Sequence, residues 1–587
     1  MALHGVKLAL LPYEVIQQAF PIRVCEFTEE RMYTSSPQRL SRVYTPVNAL
    51  EAHAEHLQAQ SLSDLIGGDS DTACHRATAL AFTLGPLYLD LSKQRITSET
   101  LSLLVDWAHS CGLESKRHAL FAGAMVNASE RRSALHMAAR WPADTAPPEG
   151  MEEAVAFCQS QRARLTALVE RLHDANWFGA TGQAITDVVH IGVGGSDLGP
   201  KMISEALADS PSQKRINVHY VSSMDGAQLL PLMERLAPAT TLLVLASKSF
   251  TTADTQFNLR TALAWLSEAL EIDVPTVCRH QLVGVSAKPE KMSEFGIPTE
   301  HQLIFKEWIG GRFSLWSPIG VSVAMQLGME CSDALLAGAH SMDRHFMETP
   351  LMENLPTLVA LVGAWNCQFL NIPTHAVLPY DARLKSLPAY LQQLEMESNG
   401  KSVCLDGRSV THATCPIIWG DVGPNAQHAF YQLLHQGGHT VSADFVAVAR
   451  REVEAPQTVC NSLAAQEQLT LANCLAQAQL FALGDDAIPT ALRGHMAQGY
   501  RGNQPNSLLL MKQLDAWSLG VLLALYEHKV FVQSVLWNLN PFDQPGVELG
   551  KKLATSLFNV LSGNALEQSL VKDPSTQQLL NKLVEWR

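Results

Sequence analysis

From Ile185 onward, short apolar runs alternate with helix-length amphipathic segments, and this alternation leaves few folds open to the chain. The strand candidates Val188–Val193, Ile216–Val221, Thr241–Ala246 and Leu282–Ser286 are separated by enough chain for a crossover helix each time. Strands joined in this way run parallel, because the helix carries the chain back to the same end of the sheet before the next strand begins. A second alternating run follows, with strand candidates around His375–Leu378, Pro416–Trp419 and Thr440–Val448 and helical segments Arg383–Glu397 and Ala426–Gln436 between them. The expected class is α/β, with two mainly parallel sheets, each flanked by helices.

A length of 587 residues agrees with this, since a single core stops growing well below that size. Composition places linkers near Glu348–Pro356 and Glu452–Pro456. Residues 1–150 alternate helical patterns with Ser-, Asp- and Pro-rich loops and contain no evident strand-turn-helix unit, so a mainly helical region is expected there. The expected division is residues 1–150, a first α/β unit over 151–347, a second over 348–563, and a helical tail over 564–587.

The net charge of −14 argues against a nucleic-acid partner, because a phosphate polymer would meet repulsion. A small anion remains possible if backbone N–H groups and a few cations gather locally against the global field. The 11 cysteines contain no C-x-x-C pair and read as reduced thiols. The N-terminus shows no secretory pattern, and a cytoplasmic location is expected. The apolar stretches near Leu355–Leu370 and Leu519–Trp537 are too short, or too interrupted by Glu527, His528 and Lys529, to span a bilayer, so they are expected inside the core.

Two turns suit a phosphate. In HIGVGGSDLGP a strand runs into Gly194, Gly195 and Ser196 and then into a helix opening near Asp197, which presents free N–H groups to an anion. Neither the dinucleotide fingerprint nor the P-loop pattern is met, so a monophosphate cradle stands beside a plain tight turn with Ser196 as helix cap. In SKSFTT, Ser247, Ser249, Thr251 and Thr252 crowd four hydroxyls around Lys248, although a helix start needs about one capping side chain. That density favours phosphate over a hydroxyl-rich cap. Both turns follow parallel strands and would lie at the carboxyl edge of one sheet, where ligands of open α/β folds bind.

Acid-base groups follow. In LPAYLQQLEMESNGK a helix starting near Pro388 and stopping at Asn399-Gly400 puts Gln393 and Glu397 on one face. A carboxylate there opposes the macrodipole, which suits a base that must return its proton; a solvated surface glutamate is the plain alternative. His428, Gln432 and His435 share a face at i, i+4 and i+7, with no carboxylate to complete a zinc set, so His428 is a proton shuttle or a hydrogen-bonded histidine. Arg312, after Gly310 and Gly311, is a candidate fixed cation or one half of a structural salt bridge. Gln544 and Lys551, with Glu548, lie in NPFDQPGVELGKK ahead of a helical run that a surface helix explains equally well.

Taken together, IGVGGSDLGP, SKSFTT, GGRFSLWSPIG, LQQLEMESNGK, QHAFYQLLHQG and FDQPGVELGKK stand in the order and spacing of the glucose-6-phosphate isomerase family, which the chain resembles from Trp177 to Gly563. HAVLPYD and ALYEHKVFVQ add support, while residues 1–150 resemble the family only faintly. The resemblance implies two sugar-isomerase (SIS) domains with helical N- and C-terminal arms, a homodimer, and a cofactor-free, metal-free isomerase of glycolysis and gluconeogenesis acting on glucose 6-phosphate and fructose 6-phosphate.

Position by position, it implies that Gly195, Ser196 and the turn from Ser247 through Lys248, Ser249 and Thr251 to Thr252 hold the phosphate. Gln393 and Gln544 would orient the sugar, Glu397 would be the base, and Arg312 would stabilise a cis-enediolate. His428, supplied by the partner subunit, and Lys551 would assist ring opening. One base can serve both carbons, and arginine supplies a donor that stays protonated. Two residues depart from the family pattern: Ser249 replaces the usual threonine and keeps the hydroxyl, and Pro545 stands where many members have tryptophan. A sugar-phosphate-binding protein without catalysis would have no need of Glu397, His428, Arg312 and Lys551 together, whereas an isomerase that also accepts mannose 6-phosphate is compatible with all of them.

Overall fold

The computed structural model describes residues 37–67, 70–209, 216–452, 455–492, 499–562 and 573–586. In chain order the strands are β1 (Ala81–Leu84), β2 (Leu87–Asp90), β3 (Asp187–Ile191), β4 (Asn217–Val221), β5 (Thr241–Ala246), β6 (Leu282–Ser286), β7 (Gln302–Ile304), β8 (Thr374–Pro379), β9 (Ile417–Gly420), β10 (Ser442–Arg450) and β11 (Asn506–Gln513). The first sheet has the order β4-β3-β5-β6-β7 and is parallel throughout. Its central strand β5, TLLVLA, is buried at every position, as expected of a parallel strand covered on both faces.

The second sheet has the order β1-β2-β11-β10-β8-β9, with β8 to β11 mutually parallel and β2 and β1 added antiparallel at one edge. The two strands at this edge come from residues 1–150. That stretch is mainly helical among the described residues, but it also supplies the hairpin β1-β2. Gly85, at φ +54°, and Pro86 make its two-residue turn, and Leu87 and Leu89 are buried.

Two helical expectations also change. Residues 383–397 are not one helix: a turn at Ala382–Leu384 is followed by an α-helix over Leu387–Leu391 and a π-helical turn over Gln392–Glu397. Residues 426–436 are two short helices, Gly423–Ala429 and Tyr431–Gln436, broken at Phe430 with φ −137°.

The helix Ala516–Leu536 is long and apolar enough to cross a membrane by length and composition, yet every residue but Trp517 is buried in protein. Each of its three central charged or titratable residues is paired. Glu527 accepts from Arg140 Nη1 at 2.5 Å and from Trp316 Nε1 at 2.6 Å, His528 Nε2 lies 2.7 Å from Asp343, and Lys529 Nζ donates to Glu395 at 2.7 Å. Arg140 also grips Asp343 through Nη2 at 2.6 Å and Nε at 2.8 Å. Buried charges persist only when matched in this way. The network pins Trp316, four residues beyond Arg312, to the helix Ala516–Leu536.

Candidate active site

β3 leads into the first turn. Gly194 adopts φ +58°, a left-handed conformation that suits glycine, and a Cβ on Gly195 would lie 2.0 Å from Gly311 O. Only glycine at 195 lets this turn touch the turn that carries Arg312. His190 on β3 supports it from below: its Nε2 donates to Ser196 O at 2.7 Å, which leaves Nδ1 to accept from Ser322 Oγ at 2.7 Å. Burial pushes the imidazole down to about 4, so it stays neutral. The helix after the turn, Leu198–Ala206, has Asp197 rather than Ser196 as its N-cap. Burial raises the Asp197 carboxyl to about 6.

The second turn follows β5. Phe250 adopts φ +56° and buries its ring, while the hydroxyls stay near the start of the helix Ala253–Leu270. Ser247 Oγ lies 3.4 Å from Thr252 Oγ1, and Thr251 Oγ1 donates to Ser249 Oγ at 2.9 Å. Thr252 is the N-cap residue but makes no side-chain capping bond, so these hydroxyls are not used on the helix. Lys248 is engaged elsewhere: its Nζ donates to Glu307 O at 2.9 Å and Ile309 O at 3.0 Å. Its ammonium therefore braces the loop ahead of Gly310, and burial lowers its pKa to about 8.

Arg312 and Glu397 bring together the segments that follow β7 and β8. The guanidinium is buried, donating through Nη1 to Glu397 Oε1 at 3.1 Å and Gln544 Oε1 at 3.2 Å, and through Nε to Ser398 Oγ at 2.6 Å. Its Nη2 donates to Asp543 O at 2.9 Å and to Pro541 O. Burial lowers its pKa while Glu397 and Asp543 act to raise it.

Gln393 Nε2 donates to the other carboxylate oxygen, Glu397 Oε2, at 2.9 Å, and lies 3.0 Å from the place a Cβ on Gly194 would take. The base candidate, its amide neighbour, the arginine and the glycine turn thus form one cluster. The π-helical turn that presents Gln393 and Glu397 belongs to a class of local distortion frequent at functional sites.

His428 and Lys551 lie outside this cluster, and the hydroxyls of Ser247, Ser249, Thr251 and Thr252 contact one another rather than its members. His428 is exposed on the helix Gly423–Ala429. Lys551 is exposed on the helix Glu548–Leu561, where its Nζ lies 2.9 Å from Glu548 Oε1. Conversely, Ser398, Lys401 and Asp543 enter the site without having been singled out. Ser398 and Lys401 flank the Asn399-Gly400 stop signal, and Asp543 precedes Gln544, so proximity to named residues was the available signal. Among the described residues, no group of three or more His, Cys, Asp or Glu side chains is placed to hold a metal ion.

Residues 90–580 match the family described as Phosphoglucose isomerase. The chain is 48% identical over 549 residues to glucose-6-phosphate isomerase 2 of Chromohalobacter salexigens, covering 92% of this chain and 97% of the relative. It is 47% identical over 547 residues to glucose-6-phosphate isomerase of Acinetobacter baumannii, with the same coverage of 92% and 97%. Among solved structures, a glucose-6-phosphate isomerase from Chlamydia trachomatis superposes with a TM-score of 0.77 at 29% identity, covering 92% of this chain and 99% of that one.

Proposed function

Since the chain belongs to the phosphoglucose isomerase family and interconverts glucose 6-phosphate and fructose 6-phosphate, we propose that Glu397 carries the hydrogen between C2 and C1. The observation behind this reading is the placement of Glu397 between Arg312 and Gln393, above the Gly194–Ser196 turn.

The phosphate of the substrate is held by Gly195, Ser196 and the hydroxyls of Ser247, Ser249, Thr251 and Thr252. Lys248 adds positive charge from behind the turn. With the sugar opened, Glu397 takes the proton from C2 as the C2–H bond breaks, and its electron pair forms the C1–C2 double bond while the C1 carbonyl oxygen takes up charge. A proton passes between O2 and O1, the C2 carbonyl forms, and Glu397 returns its proton to C1. Arg312 stabilises the enediolate charge as a fixed donor. Gln393 and Gln544 orient the hydroxyls of the sugar.

Ring opening is assigned to His428 and Lys551. The exposure of His428 on its own chain supports its delivery to the site of a second copy in a homodimer, and Lys551 would reach the sugar by movement of the Gln544–Lys551 segment. The division into residues 1–150, two sugar-isomerase domains over 151–347 and 348–563, and a tail over 564–587 remains our reading, with β1 and β2 completing the second sheet. A cytoplasmic role in glycolysis and gluconeogenesis fits this chemistry. The test is to supply fructose 6-phosphate and follow glucose 6-phosphate with wild type and Glu397→Gln, the variant being expected to keep phosphate binding and lose turnover.

A further inference from the structure

The turn that carries Glu397 ends at Asn399-Gly400, and a Cβ on Gly400 would lie 2.4 Å from Met396 O. Glycine at this point lets the chain reverse closely, and the next side chain, Lys401, folds back over the end of the turn. Its Nζ donates to Glu397 O at 3.2 Å and to Ser398 O, and lies 3.3 Å from Asp543 Oδ1. A lysine donating to the last carbonyls of a helical turn meets acceptors that otherwise have no partner within the turn.

The same ammonium reaches the loop on the other side of the arginine. Asp543 gives its backbone carbonyl to Arg312 and its Oδ2 to Asn540 Nδ2 at 3.0 Å and to Ser129 Oγ. Ser398 receives Arg312 Nε, and Gln544, the next residue after Asp543, receives Arg312 Nη1. Lys401 therefore spans the two segments that hold the guanidinium, while making no contact with the Glu397 carboxylate itself.

We propose that Lys401 is a positioning residue for Glu397, clamping the end of the base-bearing turn to the loop that carries Asp543 and Gln544. This inference rests on the reading of Glu397 as the base. The clamp depends on the ammonium charge. The charged groups facing it are Arg312, Asp543 and Glu397: burial and Arg312 lower its pKa to about 8, against the opposite pull of the two carboxylates. The positive clamp is complete below that pH and weakens as pH rises through it.

The test compares Lys401→Met, Lys401→Arg, Glu397→Gln and wild type by steady-state kinetics from pH 6 to 10, with melting temperatures alongside. Lys401→Met is expected to lower kcat about 10-fold or more with KM for fructose 6-phosphate within about 2-fold, because the carboxylate loses alignment while the phosphate turns are untouched. Lys401→Arg is expected to recover most of kcat and to move the alkaline decline of kcat to higher pH, because arginine does not deprotonate there. A Lys401→Met kcat within about 2-fold of wild type overturns the proposal. So does an alkaline decline in Lys401→Arg that coincides with that of wild type, and this profile decides the matter if Lys401→Met does not fold. Normal turnover in Glu397→Gln would instead remove the base assignment itself, whereas an inactive Glu397→Gln beside an active Lys401→Met removes only the role given to Lys401.

Discussion

Arg312 Nη1 stands 3.1 Å from Glu397 Oε1, although the arginine follows the last strand of the first sheet and the glutamate follows a strand of the second. The pair thus joins the chain segments that follow the two sheets. Every guanidinium nitrogen has an acceptor, so the arginine is held in one orientation before substrate arrives. A donor fixed in advance stabilises developing charge without reorganising at the moment of reaction.

Replacement of Arg312 by lysine keeps a cation but not the planar fork that meets Ser398, Glu397, Gln544 and two carbonyls together. Arg312→Lys is expected to lower kcat about 10²-fold with a smaller change in KM, as measured by initial rates with either sugar phosphate. A kcat near wild type would show that the fork geometry is dispensable.

Gly195→Ala would place a methyl group 2.0 Å from Gly311 O, backbone against backbone, with no flexible side chain to give way. The two turns must separate. We expect a lower melting temperature and a KM raised for both glucose 6-phosphate and fructose 6-phosphate, with retention of normal values counting against the close approach of the turns.

His190 links stability to pH. Its folded pKa is about 4 and the unfolded value about 6.5, so between these values the unfolded chain binds a proton that the folded chain does not. Stability contributed by the neutral ring is therefore complete above about pH 6.5 and is lost as pH falls towards 4. His190→Gln, which retains a donor and an acceptor, should show a shallower fall in melting temperature over that range than wild type. An unchanged slope would assign the acid sensitivity to other buried histidines, among them His136, His301 and His345, which burial also lowers.

Subunit mixing tests the assignment of His428. Glu397→Gln and His428→Ala are each expected to be nearly inactive, but a mixed dimer refolded from both would contain one site with a native Glu397 from one chain and a native His428 from the other. Recovery of activity on co-refolding is expected. Its absence, with dimers demonstrably exchanged, would place both residues in the same chain's site.

Much of the fold was legible because buried parallel strands are continuous apolar runs: β3 to β6 lie within a residue or two of the expected segments. β7, at three residues, was too short to carry a pattern, and the hairpin β1-β2 was hidden because its strands are only four residues each, split by Gly85 and Pro86. The π-helical turn at Gln392–Glu397 was not legible, since its residues favour a regular helix and nothing in their spacing marks the wider turn. Of the site, Arg312, Gln393, Glu397, Gln544 and the Gly194–Ser196 turn come together in space, although their motifs lie far apart in the sequence. Lys248 and Lys401 were harder to assign, because a lysine's reach lets its charge act several residues away from its place in the sequence.

The central claim is that a single carboxylate, Glu397, moves hydrogen between C1 and C2. Its most direct test is to convert fructose 6-phosphate in D₂O and determine by NMR how much deuterium appears at C2 of the glucose 6-phosphate formed, for wild type and Glu397→Gln. The account predicts deuterium at C2 with wild type, from exchange of the carried proton with solvent, and both product formation and label lower by at least about 10²-fold with the variant. Label entering C2 at the wild-type rate in Glu397→Gln would contradict it.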